Sequence, residues 1–239
     1  MILNIVKGLF GDTLRNGDLV AVGNVLEYLR IRDKNPELKF YMKPDTLSEA
    51  SYVQQFFSWL TENTDWFSLT PGDKFLDWKH CNVWDFRDIS GDLVKIENYK
   101  PVEKKVVIFP VLDAPYNAWR NWPQEAFQQI VNEYGGEKYK DYRKIICITP
   151  NIKITVNGWE ISTDFMTNID HILTADTYVG GDTGTSHFAW ALYRSPPNLV
   201  YWSSSRGLVH TLPFYALRGK GQINSYWLNF EGPWTKIDV

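Results

Sequence analysis

The chain has 239 residues, enough for one large domain or two small ones with a real core. Apolar residues are 44 % and charged residues 22 % of the total, the balance of a globular protein rather than a disordered one. A formal net charge of −3 excludes an overall basic footprint for nucleic acid, and the basic clusters at 138–144 and 206–220 are interrupted and read as solvated faces.

Residues 2–6 form a short β-branched apolar run and read as a buried strand. A polar, glycine-containing loop follows over 7–17. Leu19, Val22, Val25, Leu26 and Leu29 then recur at helical spacing. Residues 38–42 read as a second strand and 48–60 as a helix with Glu49 in its first turn. Short strands are expected at 66–69 and 82–86. Residues 88–104 are polar, contain Gly91 and Pro101, and lack periodicity, which places a domain boundary there.

The pattern restarts with VVIFPV at 106–111. A helix is expected over 123–134, with Pro123 near its start, where a missing N–H costs nothing. A strand at 145–149, a helix at 168–175 and a strand ending at Tyr178 and Val179 follow. A helix starting over 186–192, a strand at 199–202 and a helix over 212–217 complete the reading. Strands alternating with helices predict parallel sheets covered on both faces. The expected fold is α/β, with two small doubly wound domains at 1–98 and 99–239. Ligands of such sheets sit outside the carboxyl ends of the strands. The loops 7–18 and 180–187 fall at such ends, and in two facing domains those ends share one cleft.

Loop 180–187 reads GGDTGTSH. Gly180 and Gly181 permit a sharp turn after a strand, and Thr183 or Thr185 can cap the next helix. The N–H groups and dipole at that helix start attract an anion. Gly184 lets the backbone approach a phosphate without a Cβ in the way, and Thr183, Thr185 and Ser186 add hydroxyl donors. The cluster is therefore a candidate phosphate site; the plainer alternative is a capped helix and nothing more. It is not a Walker A loop, because Gly-Lys-Ser/Thr is absent.

Cys81 and Cys147 match no metal or redox spacing, and Cys147 lies in a predicted strand, as expected for a reduced thiol in the cytoplasm. The four His have no ligand spacing. No metal and no cofactor are expected. The N-terminus shows no signal-peptide pattern, and no run approaches the roughly 20 apolar residues of a membrane span.

DTGTSHFAWAL, at 182–192, resembles the Asp-Thr-Gly-x-x-His-x-x-x-Ala-Leu segment of the heptosyltransferase family of glycosyltransferases. RNWPQE at 120–125 resembles that family's basic residue followed by Trp-Pro and a helix. MILNIVK, a loop with Gly-Asp, a helix and ELKFYM resemble its opening βαβ unit. The resemblance covers both ends of the first unit and most of 104–202; residues 45–100 match nothing in the family. It implies a GT-B fold of two Rossmann-like domains, and inverting, metal-independent transfer from a nucleotide-sugar donor. Carried over by position, Asp182, Thr183, Gly184 and His187 line the donor diphosphate and sugar, with Thr185 beside them. Arg120 stands where the family has a basic residue near the phosphates. A guanidinium and a helix N-terminus suit the charge of a departing nucleoside diphosphate.

The family's general base is an Asp directly after Gly in the first loop. The sequence offers Gly11-Asp12 and Gly17-Asp18. Asp18 is favoured, with Gly17 in the substrate-binding set, because it immediately precedes the helical pattern and its distance to ELKF fits; a plain helix cap is its other reading. Glu160 is a candidate ribose contact. The acceptor is a cell-surface saccharide or, as in GT-B enzymes of tailed phages, a hydroxymethylated base in DNA. Lys7, Arg15, Lys43 and residues 74–79 could supply a local phosphate-binding patch for the latter. A third reading, of another class, is a non-catalytic nucleotide-sugar-binding module. An epimerase is disfavoured, because no GxGxxG follows the first strand.

Overall fold

The computed structural model describes residues 1–8, 12–77, 100–113, 120–181, 183, 198–204, 222–228 and 235–238. The chain folds as two compact units, Met1–Ile96 and Glu97–Val239. No helix among the described residues is long and apolar enough to cross a membrane.

In the first unit, β1 (Ile2–Ile5) lies between β2 (Lys39–Met42) and β3 (Lys74–Phe75), all parallel. The first connection is α1 (Asn16–Arg32), whose Leu19, Val22, Leu26 and Leu29 are buried at helical spacing. Arg30 is buried on the same helix; its Nε donates to the Leu38 carbonyl at 2.8 Å and its guanidinium pairs with Asp65 at 3.2 Å, tying α1 to the start of β2. The second connection is α2 (Ser51–Asn63), which buries Val53, Phe56 and Leu60. It starts three residues later than expected, so Glu49 precedes it. Leu14 explains the delay: its N–H donates to the Thr46 carbonyl and its carbonyl accepts from the Ser48 N–H, which holds Leu47 extended in a parallel bridge.

The expected strand at 66–69 is a single parallel bridge, Phe40 with Phe67, flanked by two backbone hydrogen bonds to Phe40. β3 was not foreseen. Both its residues are exposed, and a side chain helps to place it. Buried Asn4 donates to the Gly72 carbonyl at 2.7 Å and accepts from the Gly72 N–H at 2.8 Å, as another backbone would. The expected strand 82–86 and Cys81 lie outside the described residues.

The second unit is a seven-stranded sheet. β4 (Lys105–Phe109) is buried throughout, and β5 (Arg143–Cys147), β6 (Glu160–Ser162), β7 (Thr177–Gly181), β8 (Asn198–Ser204), β9 (Gln222–Leu228) and β10 (Thr235–Asp238) follow. Their spatial order is β10-β9-β8-β7-β4-β5-β6, all parallel except β10. Counted within the unit, the first six strands run 3-2-1-4-5-6, the doubly wound dinucleotide-fold order. Val106 and Ile108 of β4, Ile146 and Val179 pack with Trp122 and with Ala126, Ile130 and Tyr134 of α3 (Gln124–Gly135) in one core. Alternation along the strands directs Val107, Ile145 and Tyr178 to the other face. Each such aliphatic side chain contributes about 1.5–3 kcal/mol on burial. α4 (Phe165–Leu173) is capped by Asp164, whose carboxylate accepts from the Thr167 N–H at 2.8 Å. β6, β9 and β10 were not foreseen, and the helices expected at 186–192 and 212–217 lie outside the described residues.

Candidate active site

In the second unit, strand order reverses between β4 and β7, which both pair with neighbours that lead away in opposite directions. A crevice at the carboxyl ends of that strand pair is where open α/β sheets receive ligands. Two loops leave from it. The loop after β4 returns at Trp122, whose N–H donates to the Val111 carbonyl at 2.6 Å. Half-buried Arg120 stands two residues ahead of that bond. The loop after β7 leaves from Gly181, the last residue of the strand, and the Thr183 N–H folds back to the Gly181 carbonyl at 2.9 Å.

Gly180 and Gly181 do not form the sharp turn the sequence suggested. Both lie within β7, paired with Tyr201 and Trp202 of β8. Neither is among the residues with positive φ. Gly181 serves a different need. A Cβ there would lie 2.4 Å from Val111 Cγ2 and 2.8 Å from Trp122 Nε1. A glycine inside a strand commonly marks such a close approach. In the sequence Trp122 reads as part of the Trp-Pro motif and Val111 as the end of a strand, and neither is paired with residue 181. The signal for both was the glycine pair ending a β-branched strand.

In the first unit, the loop after β1 reaches Leu14, fully buried and bonded to 46–48 as described. α1 begins directly afterwards. Gly17-Asp18 therefore sits in the first helical turn, not in the loop ahead of it, because the helix starts at Asn16. Asp18 Oδ2 accepts from the Arg15 N–H at 3.0 Å, so the carboxylate helps to cap the helix. Burial raises the Asp18 pKa above the ordinary aspartate value, against the lowering effects of the Arg15 N–H and the Arg15 charge. A carboxylate shifted this way is a better proton acceptor than one in water. Gly17 is half-buried beside it, and Asp12 is exposed.

Arg120 and Thr183 thus stand on the two loops that flank one strand-order reversal. Gly17 and Asp18 belong to the other unit. Asp182, Gly184, Thr185 and His187 lie outside the described residues. Glu160 is not placed for a ribose: it opens β6 at the amino end, where its carboxylate pairs with Arg143 at 2.9 Å. Cys147 carries a buried thiol, which burial pushes up, consistent with packing rather than reactivity.

No family model and no curated protein matches the chain. Among solved structures, it is similar to E. coli heptosyltransferase WaaC with ADP, at a TM-score of 0.52 and 12 % identity, over 86 % of this chain and 88 % of that one. At that identity the likeness is one of fold: the chain has a GT-B-like α/β fold of Rossmann-like units.

Proposed function

We propose that the chain is an inverting glycosyltransferase that moves a sugar from a nucleotide-sugar donor to a saccharide hydroxyl. The observation that carries the reading is the strand-order reversal between β4 and β7, flanked by the loops of Arg120 and Thr183, in a fold similar to a heptosyltransferase whose structure holds ADP. In this reading the donor diphosphate lies at the carboxyl ends of β4 and β7. Arg120 faces its charge, and Asp182, Thr183, Gly184, Thr185 and His187 line the phosphates and the sugar. Asp18, with Gly17 beside it, takes the proton of the acceptor hydroxyl. The hydroxyl oxygen attacks the anomeric carbon on the face opposite the phosphate. The new C–O bond forms as the old one breaks, and the nucleoside diphosphate leaves with the bonding electron pair. Arg120 stabilises that developing charge, so no metal is called on.

A saccharide acceptor is favoured over a hydroxymethylated DNA base by the company the cations keep. Lys43 is bonded to Asp45 at 2.7 Å, and Lys74 stands between Asp73 and Asp77 in sequence. A lysine already paired in this way, as Lys43 is, releases few counterions from DNA.

The test is release of nucleoside diphosphate from a panel of nucleotide sugars, with cell-surface saccharide fragments or hydroxymethylcytosine DNA as acceptor. Saccharide-dependent release supports the proposal. DNA-dependent release moves the acceptor to modified DNA. Donor binding without turnover makes the chain a binding module, and neither binding nor turnover overturns the reading.

A further inference from the structure

We infer that Gly181, Val111 and Trp122 form a latch across the strand-order reversal, and that Gly181 is a positioning residue for the donor. The inference rests on the glycosyltransferase reading and adds to it the part that sets the spacing of the two donor loops. The contact is built from three segments. Val111 follows β4, Trp122 precedes α3, and Gly181 ends β7. Val111 is 5 % and Trp122 4 % exposed, and both belong to the α3-side core, so neither can swing outward without opening it. The Trp122 N–H to Val111 carbonyl bond clamps the first loop to itself, and Pro123 leads at once into α3.

The missing Cβ of Gly181 then lets the β7 end seat against that clamp. Arg120 stands two residues from one side of the contact. Asp182 and Thr183 follow directly from the other. Carbon atoms rest at about 3.5–4.0 Å, whereas a Cβ at residue 181 would begin 2.4 Å from Val111 Cγ2. The mismatch is about 1 Å, and a misplacement of that size can cost about a hundredfold in rate at a catalytic constellation. Arg120 and Thr183, two of the proposed phosphate ligands, stand within two residues of the contact, so the displacement falls on them.

The experiment compares wild type, Gly181→Ala, Val111→Ala and the Gly181→Ala/Val111→Ala double variant of the full chain. Calorimetry with ADP, GDP, CDP and UDP gives the best-bound diphosphate and its affinity. Hydrogen exchange of the Trp122 amide reports the clamp separately. The expected result is a loss of at least about tenfold in diphosphate affinity for Gly181→Ala, with faster Trp122 exchange. The double variant, which removes the methyl that the new Cβ meets first but leaves Trp122 Nε1 at 2.8 Å, recovers part of the affinity loss and slows Trp122 exchange again. Unchanged Trp122 exchange in Gly181→Ala, beside normal wild-type binding, overturns the latch alone. So does an affinity loss that the double variant does not recover, or altered exchange with unaltered affinity. If wild type binds none of the four diphosphates, the glycosyltransferase reading falls, and the positioning role falls with it.

Discussion

Asp18→Asn separates catalysis from folding in a single substitution. Under the proposed function the carboxylate would have two duties with opposed demands. As a helix-start group it accepts from the Arg15 N–H at 3.0 Å, and Asn retains an oxygen that can do the same. What Asn loses is the attraction of a negative charge to the helix N-terminus, about 0.3–1 kcal/mol. What it gains is relief from placing that charge in a poorly hydrated site. The raised pKa says that burial outweighs the favourable contacts. A carboxyl held above its unfolded value, about 3.9, contributes stability that is complete below that value and is lost as pH rises through the folded one. At pH 7 the Asn variant is therefore at least as stable as wild type. At acidic pH the difference closes.

Turnover behaves the other way. A general base is worth about 10²- to 10⁴-fold, so Asp18→Asn loses that much while diphosphate affinity stays near wild type. In wild type, turnover falls as pH drops through the raised pKa, at a higher pH than an ordinary carboxylate would give, and this limb is absent from the variant. Thermal unfolding at pH 7 and in acid, calorimetry and the pH–rate profile complete the measurement. Exposed Asp12→Asn, with the same charge change, is the control. A lower melting temperature at pH 7 together with weaker diphosphate binding would make Asp18 a cap and nothing more. A larger loss of turnover from Asp12→Asn would give the base to Asp12.

Three other outcomes are expected. Arg120→Ala lowers kcat by about 10²- to 10³-fold, the worth of one electrostatic stabiliser, measured as steady-state diphosphate release. Gly23→Ala gains about 1 kcal/mol in helix propensity but sets a Cβ 2.4 Å from the fully buried Trp66 ring, an overpacking cost of about 1–3 kcal/mol. Urea unfolding shows a net loss for it, largely recovered by adding Trp66→Phe. Buried His171 has its pKa lowered by burial first, then by Lys105 and Arg143, against Glu160 and Asp170. Its stabilising contribution is present above the unfolded value near 6.5 and is lost as pH falls below it, so His171→Gln flattens stability against pH in that range.

Elements that bury a face were legible in the sequence. β1, β4, β5 and β7 are apolar runs, and α1 and α3 carry helical spacing; burial is what writes those patterns. The elements missed are held by other means. β3 is two exposed residues placed with the help of Asn4 and Gly72, sixty-eight positions apart in the chain. β6 is a three-residue edge strand whose Glu160 serves Arg143 across the ladder. α2 was placed too early because Ser48 and Glu49 look like a helix start, while the Ser48 N–H is already committed to Leu14. The candidate site divides in the same way. Arg120, Asp18 and the hydroxyl cluster announce themselves by residue type. Val111 and Trp122 look like core residues, and only the fold brings them against Gly181.

Glycine is where this limit is sharpest, because one residue type answers two physical needs. Gly158, at φ +78°, has open space where a Cβ would go. Its requirement is backbone freedom, met wherever the left-handed region must be visited. Gly23, Gly72 and Gly181 have no such φ, and each abuts something unyielding: the Trp66 ring, the Ile2 carbonyl and the Val111–Trp122 pair. Their requirement is volume. The sequence suggested a turn at Gly181 and put Gly23 inside a helical pattern, so residue type alone does not tell the two needs apart. The distinction bears on function, because a volume requirement names a partner and a conformational one does not. At Gly181 the partners are the two residues that fix the start and the return of the Arg120 loop. A glycine that closes a strand thus acts on a loop more than fifty residues earlier in the chain, and it does so by leaving space for it.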